Sequence, residues 1–83
     1  MTKSEFLVYL DTEISASQAR ISTKNTKSDR VDTGRVEFLT VIKNMLTKNA
    51  TPEDVGRLGA FNDVAQKLGV LASSKTLFSG LEG

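Results

Sequence analysis

Eighty-three residues make a single domain, 1–83, and a chain of that size buries only roughly 60% of its unfolded surface, so disulfides, metals or association usually support its core. There is no Cys and no His, which excludes disulfides, thiolate or imidazole metal sites and the commonest general base. The net charge of +1 by itself implies no polyanionic partner.

The chain opens with a helix capped at Ser4, ahead of Phe6 and Leu7. Leu7, Leu10, Ile14, Ser17 and Ile21 recur at spacings of three and four, the seam of a helix that packs on another helix. Ala16 and Ser17 are small enough to let a neighbour approach. Residues 22–34 read as a polar linker, with Ser22 to Asp29 wholly without apolar side chains. Ser28 or Asp29 offers an early cap for the next helix, Asp32 or Thr33 a later one, and Gly34 argues for the later start. From there Val36, Phe38, Leu39, Val41, Ile42, Met45 and Leu46 fall on two adjacent faces, so this helix is buried on more than one side and forms the centre of the fold.

A short connection leads to Thr51-Pro52-Glu53-Asp54, the plainest helix start in the chain. Thr51 caps, Pro52 occupies the first helical position, where its missing N–H costs nothing, and two acids meet the positive end of the helix dipole. Val55, Leu58, Phe61, Val64, Ala65 and Leu68 supply the predicted buried face. Gly56 and Gly59 cost helix propensity on the order of 1 kcal/mol each, a cost often tolerated where another backbone comes close. Gly69 stops the helix. In the tail, 70–83, Ser73 or Ser74 caps a short helix over Lys75–Leu81. The expected fold is all-α: an antiparallel hairpin over 35–68, the N-terminal helix across it, and a short C-terminal helix.

Catalysis finds little to work with. Asp11 and Glu13 lie on different faces of a helix, Glu53 and Asp54 are accounted for by their helix start, and Asp29 and Asp32 are flanked by bases. There is no glycine-rich phosphate loop and no EF-hand spacing. The expectation is a protein that is not an enzyme and needs no cofactor or metal. The longest apolar runs, Phe6 to Leu10 and Val70 to Ala72, are far too short to span a bilayer, and the N-terminus lacks the apolar core of a signal peptide, so the expected location is cytoplasmic.

Charge is uneven. Residues 1–19 carry a net −2 and residues 20–35 a net +3, while the rest balances five against five. The segment Asp63-Val64-Ala65-Gln66-Lys67-Leu68-Gly69-Val70 resembles the first half of the helix-turn-helix of bacterial repressors. In that family an Ala packs under the second helix and a Gly four residues later makes the turn, the places held here by Ala65 and Gly69. The resemblance implies a recognition helix opened by Ser73, Ser74, Lys75 and Thr76, with Arg20, Lys24, Lys27 and Arg30 as further phosphate contacts. The sequence departs from the pattern at Lys75, where the family has a buried residue, and at Leu71, where a polar turn residue is usual.

The other reading is association between proteins. Three short helices and an apolar tail carry more apolar surface than they readily bury on one another. The anchors expected for a protein partner, or for a homo-oligomer with a dimer favoured, are Leu7, Tyr9, Leu10 and Ile14 on the first helix and Leu77, Phe78 and Leu81 in the tail. On this reading the chain is a small regulator, adaptor or inhibitor of a larger machine, of the compact kind phages make. DNA binding through 63–81 is the alternative.

Overall fold

Each helix begins in the same way. The structure, a computed structural model, describes residues 1–82; Gly83, the end of the predicted tail, lies outside the described residues. Helix α1 spans Lys3–Arg20, α2 Lys27–Leu46 and α3 Pro52–Lys67. A Thr caps each of them in a reciprocal capping box: Thr2 with Glu5, Thr26 with Asp29, Thr51 with Asp54. In each box the Thr hydroxyl accepts from the backbone N–H three residues on. The acid at that position then accepts from the Thr N–H, so two orphan donors are satisfied at once.

Two starts therefore fall earlier than the sequence reading placed them. Thr2, not Ser4, caps α1. Helix α2 begins at Lys27, about two turns before residue 35, and the polar linker shrinks to residues 21–26. The extra turns carry one apolar side chain, the exposed Val31, and are held to α1 by polar contacts instead. Asp32 accepts two hydrogen bonds from Arg20, at 3.1 Å from Nε and 2.8 Å from Nη2. Arg35 donates to the Ser17 hydroxyl at 3.2 Å and to Glu13 at 3.3 Å.

Helices α1 and α2 run antiparallel and form the most extensive pairing in the molecule. Leu10, Ile42 and Leu46 make the core between them, with Phe6, Leu7 and Leu39 packed around it. The small Ser17 is fully buried between the two helices. Helix α2 is the centre of the fold, as its two apolar faces predict. The larger of its two pairings is with α1; α3 rests on α2 along a shorter contact and is held to the tail as well. Leu58 and Ala65 are its buried apolar residues.

The chain turns after α3 at Gly69, whose φ of +78° is left-handed, with the Val70 N–H donating to the Ala65 carbonyl at 2.9 Å. The tail then runs back toward the start of α1. Asn62 accepts from the Leu77 N–H at 2.8 Å, and Gln66 donates to the Lys75 carbonyl at 2.6 Å. Only Leu77–Gly80 is helical, as a single 3₁₀ turn, in place of the helix expected over Lys75–Leu81. Leu77, Phe78 and Leu81 pack on the Leu10–Ile42–Leu46 core. A parallel bridge between Thr2 and Glu82 completes the circuit: Lys3 N–H donates to the Glu82 carbonyl at 3.0 Å, and Glu82 N–H to the Met1 carbonyl at 3.1 Å. The tail thus takes the place of a fourth helix.

Candidate interaction surface

The two ends of the electrostatic pattern meet inside the molecule. Acids of α1 pair with bases of α2 at Glu13–Arg35 and Asp11–Lys43, the latter at 2.6 Å, while Arg20 of α1 binds Asp32 of α2. Arg20 and Arg35 also converge on the buried Ser17 hydroxyl. The carboxylate beside Arg20 holds that guanidinium above its ordinary pKa. Asp29 is buried at the start of α2 and accepts from the Ser22 hydroxyl at 2.7 Å, the Ser22 N–H at 2.8 Å and the Thr26 N–H at 3.0 Å. These donors, the Ser22 hydroxyl foremost, hold its pKa at about 2, below an ordinary 3.8. The Thr51 N–H lowers Asp54 in the same manner. Every one of these groups has a partner that explains it.

Of the residues named for a protein interface, Leu10 is 1% exposed and lies in the core. Leu77, Phe78 and Leu81 are half-buried against that core, and so is Leu7. Their apolar surface is what closes the domain, which is the physical reason they do not form the outward set expected of them. Ile14 is half-buried too, and Tyr9 is exposed, its ring stacked on Phe6 with centroids 5.9 Å apart.

The residues named for nucleic acid divide likewise. Arg20 is tied to Asp32, while Lys24, Lys27 and Arg30 are exposed around the start of α2. Ser73, Ser74, Lys75 and Thr76 are exposed in the turn after Gly69. That turn leads into one turn of 3₁₀ helix held against the core, so no recognition helix stands where the helix-turn-helix resemblance implies one.

The surface that composition and spacing did not single out lies on α2 and α3. Phe38, Phe61, Val64 and Leu68 are 39%, 40%, 58% and 73% exposed. The last three were expected in the α3 core. Phe61, Val64 and Leu68 stand at spacings of three and four, one stripe of a helix. Phe61 meets Phe38 of α2 with ring centroids 5.8 Å apart. A cleft of about 530 Å³ lies between α2 and the start of α3, where Val41 and Phe38 are apolar walls and Glu37, Asn44, Asp54 and Arg57 are polar ones; of the four exposed apolar residues Phe38 alone lines it. The Gly56/Gly59 side of α3 is open as well. A Cβ added at either glycine meets nothing within 4 Å, so no backbone of this chain comes close there, contrary to the sequence expectation.

Among the described residues no three acidic side chains come together in a way that could hold a metal ion, and no helix is long and apolar enough to cross a membrane. No family model matches the chain, and comparison with curated proteins and with solved structures finds no match either.

Proposed function

We propose that this chain is a small, non-catalytic interaction protein that binds another protein through the α2/α3 face. The observation that carries the reading is the row of exposed apolar side chains Phe61, Val64 and Leu68 on α3, joined to Phe38 of α2 by the contact of the two rings. Single exposed apolar residues are ordinary, but a row of large ones along one helix and onto its neighbour supports a surface that another molecule covers. Such a face takes a helix or an extended apolar segment, with the aromatic pair as anchor. This replaces the α1 and tail anchors with a face those residues leave free.

The test is affinity capture from cell extract with wild-type protein and with the double variant Val64→Asp, Leu68→Asp. The expected outcome is a protein retained by the wild type and lost with the variant. An identical set of retained proteins sinks the reading. Titration of a mixed-sequence duplex at low salt, followed by fluorescence anisotropy, checks the nucleic-acid alternative. Binding that weakens steeply with salt would transfer the function to the exposed lysines.

A further inference from the structure

Deepening that reading, and resting on it, we infer that the α2/α3 face is the contact between two copies of this chain. The first argument is area. The chain exposes 5790 Å² at a mass of 9.0 kDa, whereas a compact monomer of that mass exposes about 4,900 Å². The surplus, about 900 Å², is close to the roughly 800 Å² that each partner contributes to a standard stable interface. The shape agrees: the Cα radius of gyration is 14.2 Å, against about 12 Å for a compact domain of this length.

The surplus has a location. The α1–α2 side is closed by ion pairs and by the tail, while α3 meets α2 along a shorter contact, is tied to the tail through Asn62 and Gln66, and leaves Val64 and Leu68 exposed. A second copy supplies what is missing, another helix pair with an apolar face of matching length. The charges suit a copy of the same chain. Glu37 stands on the α2 wall of the cleft and Arg57 on the α3 wall, where the guanidinium pairs with Asp54 of its own helix at 3.3 Å and stays largely exposed. A two-fold axis running along the cleft lays each α3 over the other copy's α2, which brings opposite charges to the interface on both sides and repeats every contact twice. The product is a four-helix layer of two α2 and two α3 helices, with Phe38, Phe61, Val64 and Leu68 inside.

Sedimentation equilibrium on the purified chain tests this, comparing wild type with Leu68→Asp, Val64→Asp and Val8→Asp. All three positions are exposed in the monomer, so circular dichroism should show an unchanged helix content, and two variants of the face guard against one that misfolds. Wild type is expected to be a dimer. Leu68→Asp and Val64→Asp are expected to weaken it by about tenfold or more, because an unpaired carboxylate is buried at the contact. Val8→Asp, on α1, should leave it unchanged. A wild-type monomer at about 100 μM, a dimer indifferent to both α3 variants, or a dimer broken by Val8→Asp overturns the inference. The two readings fail separately: a monomer whose captured partner is lost with the α3 variants keeps the interaction face and removes only the second copy.

Discussion

The two sides of α2 solve the same problem in opposite ways. Toward α1, its first half carries Asp32 and Arg35 into bonds with Arg20, Ser17 and Glu13, and its second half carries Ile42 and Leu46 into the core. Every buried side-chain N or O atom among the described residues has a hydrogen-bond partner. Toward α3, the same helix has the buried Val41 and a cleft walled by Phe38, with the exposed Phe61, Val64 and Leu68 of α3 farther along. A helix closed on one side by complementary charge is finished there, because any further partner would have to replace bonds already made. A side left apolar and open is where a partner gains most. The proposed interaction face rests on that difference.

That contrast can be broken most forcefully through the buried residue on each side of α2, Leu10 on α1 and Leu58 on α3. Leu10→Ala and Leu58→Ala each remove a fully buried side chain, and each should cost about 2–5 kcal/mol in urea unfolding followed by circular dichroism. That is a large part of the roughly 4–12 kcal/mol total stability of a domain of this length. Leu68→Asp on the open side should leave the midpoint of the monomer nearly where it was.

Acid sharpens the comparison at the α1–α2 connection. Asp29 is held at about 2 in the folded chain against an ordinary 3.8. The unfolded chain therefore takes up the proton first. The stability Asp29 contributes is present in full above about pH 4 and is lost as pH falls toward 2. Urea midpoints measured across that range should fall more steeply for wild type than for Asp29→Asn, which has already lost the charge. Parallel curves would show that the carboxylate's bonds to Ser22 and Thr26 carry no differential stability.

The smallest effect has the opposite sign. Gly56→Ala and Gly59→Ala add a methyl group that meets nothing, so each should raise stability by roughly 0.5–1 kcal/mol through helix propensity. Both sit away from the Phe61–Val64–Leu68 stripe, so the sedimentation of the dimer should not change. A lowered midpoint would mean that a second molecule closes on the glycines after all.

Local signals in the sequence read well where one residue type decides the backbone. Thr51-Pro52 and Gly69 begin and end α3 as expected. The same chemistry stands at Thr2-x-x-Glu5 and Thr26-x-x-Asp29, where Ser4 and Gly34 are competing local signals. Gly34 is tolerated inside α2 because Asp32 before it and Arg35 after it are both bonded to α1. The tail was harder to read, since Leu77, Phe78 and Leu81 look alike whether they cover this chain's core or another's. Only their contact with Leu10 and Leu46 decides it. For α3 the limit is geometric. Its apolar residues spread over more than half the helix circumference, while α2 covers a narrow strip, and periodicity does not say which strip is covered.

The bridge between Thr2 and Glu82 also sets an order of events in folding. Contacts within the α1–α2 hairpin close shorter loops and are expected to form earlier, whereas the bridge joins the two ends of the described chain. It is built from two backbone hydrogen bonds at exposed or half-exposed positions, which places it among the last contacts to form and the first to open. Because Leu77, Phe78 and Leu81 follow it, fraying at the chain's two ends admits water to the one apolar core the domain has.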